Sequence, residues 1–259
     1  MDFPDKFNLT KDLNRRFVKQ NMTKLVHTNA RFEGINTTMP QTQTIMDGLG
    51  VDGVPIDDIN TIVRLKHGWE YIVNNDDAVD LDLAKKLNKI VAEHQSLDPG
   101  NFRSGSGYVD AGGKEFIPPA VDEQAERNFL KKLSDNSNMS TTDKAMTLMY
   151  HLMRNQIFWD GNKRTAILLA NKMMIDHGAG VINVPLNHWP KWNELISDYY
   201  FTNNMDKIKK WTYSIGIQGV ELQKDRKLKK TNSKNKLPQD KDTNTFFTRK
   251  KERGSHFNI

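Results

Sequence analysis

The chain of 259 residues contains no cysteine. That absence removes disulfides, thiolate zinc sites, iron–sulfur clusters and cysteine nucleophiles together, and it leaves the redox compartment undetermined. Long apolar runs are missing too. The longest uninterrupted one, Ala166 to Ala170, falls far short of the roughly 20 residues that cross a bilayer. The opening residues, MDFPDKFNLT, place acids and a proline where a secretory leader needs a cationic and then a greasy segment. A soluble, cytoplasmic protein with no membrane partner is the expectation. Hydrophobic residues make up only 37% of the chain and charged residues 27%, so part of it is expected to lie outside the core. The length still suffices for one large domain or two small ones.

The formal charge of +6 is unevenly spread. Residues 221–259 hold 12 Lys/Arg against 5 Asp/Glu, and the preceding segment is close to neutral. The tail is also rich in Asn, Thr, Ser and Gln, so it buries too little apolar surface to offset the entropy of ordering and is expected to be disordered. Phe246 and Phe247 beside Arg249, Lys250 and Lys251 read either as a nucleic-acid or acidic-surface contact or, as the plainer alternative, as a solubilising terminus. Nucleic acid is not the expected partner.

Within residues 1–220 the apolar spacing is mostly helical, with no internal repeat. Val18, Met22, Leu25 and Val26 share one stripe, which Gly34 stops. Ile59, Ile62, Val63, Trp69 and Val73 form a second helix with Asp57 and Asp58 at its start. Leu81, Ala84, Leu87 and Val91 form a third, and Val121, Ala125, Phe129 and Leu133 a fourth. Ala145, Leu148, Met149 and Leu152 form a fifth, capped by Thr141 or Thr142. Ile167, Ala170, Asn171 and Met174 continue on a sixth, ended by Gly178, and two more segments follow at Trp192–Tyr199 and Ile208–Ile215. The glycine-rich stretch 100–119 breaks the pattern. There Tyr108-Val109 and Phe116-Ile117 flank an Asp-Ala-Gly-Gly-Lys turn, which predicts a β-hairpin. The fold class is therefore all-α, a helical bundle with one hairpin inserted.

Between the fifth and sixth helices runs Gln156-Ile157-Phe158-Trp159-Asp160-Gly161-Asn162-Lys163-Arg164-Thr165. A tight Gly-Asn loop here opens straight into a helix whose first amides lack intrahelical partners and whose dipole end is positive. Such a position favours a phosphate group. Lys163 and Arg164 add full charges, and an arginine grips phosphate oxygens with two parallel donors. Asp160 is a hard oxygen ligand suited to a magnesium ion bridging those phosphates. Cradle, cations and carboxylate within a few residues point to a nucleotide–phosphate site, with a capped loop bearing surface cations as the plainer alternative.

This segment resembles the signature of the Fic/Doc (Fido-fold) family, His-x-Phe-x-Asp/Glu-Gly-Asn-Gly/Lys-Arg. Phe158, Asp160, Gly161, Asn162, Lys163 and Arg164 match in register, and the lysine form is closer to the Doc branch. The hairpin stretch resembles the family's flap. Upstream, Thr28-Asn29-Ala30-Arg31-Phe32-Glu33-Gly34 resembles the inhibitory pattern Ser/Thr-x-x-x-Glu-Gly/Asn, with Thr28 and Glu33 as its inhibitory residues. The resemblance implies a Fic-type bundle with a helical amino-terminal region over 1–80, an inhibitory helix at about 10–34, a core domain over 81–220 and the tail beyond. It also implies transfer of AMP from ATP, with Mg2+, to a Ser, Thr or Tyr hydroxyl of a target protein. Gly161, Asn162, Lys163 and Arg164 would hold the nucleotide, Asp160 the metal, and Arg164 with Gln156 would occupy the catalytic positions. The flap residues Tyr108, Val109, Phe116 and Ile117 would dock the target, and a homo-oligomer is a further possible partner state.

Two departures bear on activity. The family's histidine, which takes the target's proton, aligns with Gln156, and an amide does not accept a proton near neutral pH. Losing a general base costs about 10²–10⁴ in rate. Phosphoryl-type transfer draws mostly on positioning and charge, so Gln156 either orients a nucleophile at a slower site or marks a site that binds nucleotide without transferring it. His151 and His177 are read as ordinary satisfied histidines. In the Gly-Arg branch the inhibitory glutamate pairs with a second arginine, which is Ile167 here, so Glu33 either clasps Arg164 instead or is an exposed residue near a helix end. A Doc-like site would also accommodate transfer of the γ-phosphate, a protein-kinase outcome.

Overall fold

The computed structural model describes residues 2–221. The reading of the basic tail falls on residues outside those described, apart from Glu221. Helices carry the architecture: α1 (Lys11–Gln20), α2 (Met22–Phe32), α3 (Met39–Met46), α4 (Ile56–Asn74), α5 (Leu81–Ala92), α6 (Glu123–Asp135), α7 (Thr141–Asn155), α8 (Asn162–Asp176), α9 (Trp189–Thr202) and α10 (Asp206–Ile215). Two antiparallel pairs of very short strands complete it, β1 (Val109–Asp110) with β2 (Glu115–Phe116), and β3 (Val181–Ile182) with β4 (Ile217–Gln218).

The bundle is built around α8. Its run from Arg164 to Ile175 is buried without a break, so the helix sits in the middle of the core, and the polar residues within the run are paired there: Asn171 donates to the Ile182 carbonyl at 3.1 Å and Lys172 to the Asn75 carbonyl at 3.0 Å. Helices α7, α5, α4 and α1 surround it. Two residues let neighbours approach closely. At Gly68 in α4 a Cβ would meet Leu168 Cδ1 at 2.5 Å, and at Gly178, with φ +69°, it would meet the Leu9 carbonyl oxygen at 1.8 Å.

Local chemistry corrects several expectations. The stripe expected as one helix is two, because the chain breaks at Asn21 (φ −109°, ψ 11°), whose side chain donates to the Phe17 carbonyl at 2.8 Å. The cap of α7 is Ser140, whose hydroxyl accepts from the Asp143 amide at 3.0 Å. Thr142 instead donates its hydroxyl to Asp5 at 2.6 Å. Helix α3 was not anticipated, although Thr38 and Gln41 form a capping box with Pro40 in the first turn. The β3–β4 pair was missed because two-residue runs 35 positions apart carry no readable alternation.

Candidate functional site

The signature loop is held in shape before any ligand arrives. Gly161 has φ +72°, and a Cβ there would lie 2.8 Å from Ala92 Cβ and 3.2 Å from Asn88 Nδ2, so glycine is required twice over. Asn162 folds its side chain back on the loop. Its Oδ1 accepts from the Phe158 amide at 2.9 Å and its Nδ2 donates to the Phe158 carbonyl at 2.8 Å. The side chain thus shapes the loop, and what Asn162 offers an anion is its backbone amide. The first bond of α8 runs from the Thr165 amide to the Gly161 carbonyl at 2.9 Å, which leaves the amides of Asn162, Lys163 and Arg164 without intrahelical acceptors.

Arg164 is only 2% exposed. One end of its guanidinium is committed inward, with Nη1 donating to the Val91 carbonyl and to Gln95 Oε1, both at 2.6 Å. The other edge faces carboxylates. Nη2 donates to Asp160 Oδ1 at 3.2 Å, and Nε lies 3.3 Å from Glu33 Oε2. That last contact is an ion pair without hydrogen-bond alignment, since Nε has no aligned acceptor. The fork that would take a phosphate is therefore straddled by Glu33 and Asp160. Asp160 also accepts from the Gly161 amide, and its half-exposed carboxylate is the one hard oxygen ligand at the loop. No cluster of three or more His, Asp or Glu residues suited to a metal ion exists among the described residues. Lys163 makes no ion pair there.

Gln156 ends α7 in the left-handed region, at φ 48° and ψ 54°. Its Nε2 donates to the Met153 carbonyl at 2.6 Å. Tyr200 lies beside it, its hydroxyl raised in pKa by burial first, an effect that the Gln156 side chain opposes and the charge of Glu33 reinforces. Gln156, Tyr200, Glu33 and Arg164 thus share one neighbourhood. Both candidate histidines are spent elsewhere. His151 Nε2 is bonded to Glu126 at 2.7 Å with its ring stacked on Phe129, and His177 Nδ1 faces the Met173 carbonyl at 2.9 Å.

The hairpin forms as expected but is shorter, since Tyr108 and Ile117 lie just outside the paired strands. The four flap residues divide. Phe116 is buried against Tyr200 and Phe201 at 5.1 and 5.9 Å between ring centroids, and it anchors the hairpin. Val109 is half-buried, whereas Tyr108 and Ile117 are 67% and 71% exposed.

The inhibitory pattern needs correction in register. Counting back from Glu33, its hydroxyl position falls on Asn29 rather than Thr28. Thr28 is buried in α2, and Asn29 accepts from the Trp69 indole at 2.8 Å.

Three residues that sequence reasoning passed over hold the site together. Asn88 is fully buried. Its Nδ2 donates to the Asp160 carbonyl at 2.8 Å and Thr165 Oγ1 at 3.2 Å, and its Oδ1 accepts from the Gly100 amide at 2.9 Å. Gln95 braces Arg164 and donates to Thr61 at 2.9 Å. Arg103 donates from Nε to the Gln156 carbonyl at 2.6 Å, from Nη1 to the Gly105 carbonyl at 2.8 Å and from Nη2 to the Pro119 carbonyl, so both legs of the hairpin are tied to the end of α7. Burial lowers its pKa, and the negative end of the α7 dipole helps hold its charge. Gly100 at a turn before the hairpin was the only local signal for any of them.

Comparison with known proteins places the same segment in context. The model of the Fic/DOC family matches residues 78–174. The protein adenylyltransferase Fic of Drosophila melanogaster is 27% identical over 187 residues, covering 69% of this chain and 37% of the relative. Its namesake from Culex quinquefasciatus is 26% identical over 200 residues, covering 70% and 38%. A Fic-domain signaling protein from Bacteroides thetaiotaomicron shares the fold with a TM-score of 0.65 at 18% identity, over 78% of this chain and 80% of that one. The chain spans little more than a third of the length of the curated relatives it matches.

Proposed function

This chain carries a Fic/DOC-family domain over residues 78–174, and on that premise we propose that it is a Fic-type transferase that moves AMP from ATP to a hydroxyl of a target protein, restrained by Glu33. The relatives named protein adenylyltransferase support the reaction class. The observation that carries the restraint is the 3.3 Å approach of Glu33 to the buried Arg164. In this reading the ATP phosphates rest on the first amides of α8 and on the Nε–Nη2 edge of Arg164, while Lys163 adds a second positive charge. Glu33 competes with phosphate for the same edge. A magnesium ion fits the donor set, because Mg2+ is held by one or two carboxylates together with phosphate oxygens and water. Asp160 would be its protein ligand and would exchange Arg164 for the metal.

Gln156 favours a second reading. Its amide is held by the Met153 carbonyl and has no capacity to take up a proton, so the site would bind nucleotide without transferring it. One experiment separates the two. The full chain, Glu33→Gly, and Glu33→Gly combined with Gln156→His are incubated with magnesium–ATP and a cell lysate, and proteins are read by intact mass. The transferase reading expects AMP adducts in Glu33→Gly above the unmodified chain, lost on Asp160→Ala. Adducts that arise only once Gln156→His is added establish the binding reading, adducts of phosphate mass a kinase, and no adduct in any variant contradicts both transfer reactions.

A further inference from the structure

The hairpin β1–β2 is two-stranded, so both of its outer edges lack a partner strand among the described residues. An unpaired edge is a template for an added strand. What the added strand must look like is written on the hairpin's outward face. The register pairs Val109 with Phe116 and Asp110 with Glu115, and one step further sets Tyr108 opposite Ile117. Side chains alternate between faces. Phe116 turns inward onto Tyr200, with the Arg154 guanidinium 5.1 Å from its ring. Tyr108, Ile117, Asp110 and Glu115 are all exposed. The outward face therefore holds an apolar pair followed, two residues along, by a pair of carboxylates.

That acidic pair is a poor choice for the hairpin itself, since like charges directly opposite each other work against strand pairing. Neither Asp110 nor Glu115 joins an ion pair among the described residues. Asp110 Oδ1 accepts from the Gly113 amide at 2.7 Å, and the nearest cation in the sequence is Lys114 of the turn. The face is also preformed. Arg103 clamps both legs, and Ser197 of α9 donates to the Ala111 carbonyl at 2.8 Å.

We infer that this face selects an extended segment of a target protein bearing a large apolar residue and, two positions away, a lysine or arginine. The inference rests on the proposed docking of a target at the hairpin and names the chemistry of that target. A strand joining either edge carries the two rows outward, so its residues i and i+2, about 6.6 Å apart, fall beside Tyr108–Ile117 and Asp110–Glu115. An acidic residue at the second position would meet two carboxylates and be rejected.

The test uses fluorescent peptides of equal length built on Leu-x-Lys, Lys-x-Leu, Leu-x-Glu and Ala-x-Lys, titrated with the full chain without ATP and followed by anisotropy. The better of the two Leu/Lys peptides should bind about fivefold tighter than Leu-x-Glu at low salt, as expected for exposed charge pairs. That preference should shrink at about 0.5 M salt, and Ala-x-Lys should bind more weakly. Asp110 also supports the turn, so the decisive variant is Glu115→Lys, because the Glu115 side chain makes no hydrogen bond among the described residues. It should reduce or invert the preference. Equal binding of Lys and Glu peptides, an unchanged preference in Glu115→Lys, or no binding of any peptide would overturn the inference. Serine-bearing versions of these peptides that bind as expected yet gain no mass with magnesium–ATP and the Glu33→Gly chain would leave this inference standing and count against the transferase reading alone.

Discussion

Arg164 faces two ways, and most of the site's chemistry follows from that. Val91 and Gln95 consume Nη1, so the guanidinium presents only its Nε–Nη2 edge to the loop. Removing the brace should loosen this aim. Asn88 has the larger structural duty, because three hydrogen bonds meet on it, two of them buried and the third partly so. Asn88→Ala leaves the Gly100 amide and the Asp160 carbonyl without their partner, and each buried orphan costs about 1–3 kcal/mol. A loss of about 2–4 kcal/mol in urea unfolding is expected, and a loss below about 0.5 kcal/mol would show that water replaces the side chain freely. Gly161→Ala meets both a left-handed backbone, at about 1–2 kcal/mol, and the contact with Ala92. It should weaken magnesium–ATP binding more than any exposed substitution on α8. Residues 156–165 were legible because their chemistry is contiguous. Asn88, Gln95 and Arg103 were not, because each acts on partners more than 50 positions away. The slip from Asn29 to Thr28 shows how little a five-residue pattern constrains by itself.

At the scale of elements, α2 is part of the core rather than a detachable arm. Leu25, Val26 and Ala30 are buried, Asn29 accepts from Trp69, and Phe32 stacks on Trp192 with centroids 5.0 Å apart. Glu33 follows directly at the helix end, beside Gly34 at φ +84°. Release of the proposed restraint therefore belongs to the Glu33 side chain and this last turn, not to departure of the helix. Truncation of residues 1–33 should abolish cooperative unfolding, whereas Glu33→Gly should still unfold cooperatively in urea, because it removes one half-buried side chain at the helix end and none of the core contacts of α2. A truncated chain that melts cooperatively would contradict this. Helix periodicity made α4 to α10 readable, since long amphipathic segments repeat their signal several times. It merged α1 with α2, because a one-residue break at Asn21 leaves the apolar stripe nearly in phase.

At the scale of the whole molecule, three of the six tyrosines, Tyr150 of α7 and Tyr199 and Tyr200 of α9, are buried together. Tyr150 donates to or accepts from Thr212 and lies 6.1 Å from the Tyr199 ring. Burial pushes Tyr199 up to about 12 and raises Tyr150 and Tyr200 as well. Each is held neutral in the fold, whereas in the unfolded chain a tyrosine ionises near 10. The unfolded state then binds fewer protons, so stability falls as pH rises. These tyrosines add no slope to the thermal midpoint below about pH 10 and should make it drop from there through about pH 12, with the part of the tyrosinate absorbance that is lost on replacing Tyr150, Tyr199 and Tyr200 by phenylalanine rising together with unfolding rather than before it. Ionisation of these tyrosines ahead of unfolding would show that the cluster is wet.

The most direct measurement is titration calorimetry of magnesium–ATP into the full chain, Glu33→Gly and Arg164→Ala. Tighter binding in Glu33→Gly than in the unmodified chain, with loss of binding in Arg164→Ala, is the predicted result. Equal affinities in all three, or no heat in Glu33→Gly, would show that neither Arg164 nor its glutamate partner governs a nucleotide site.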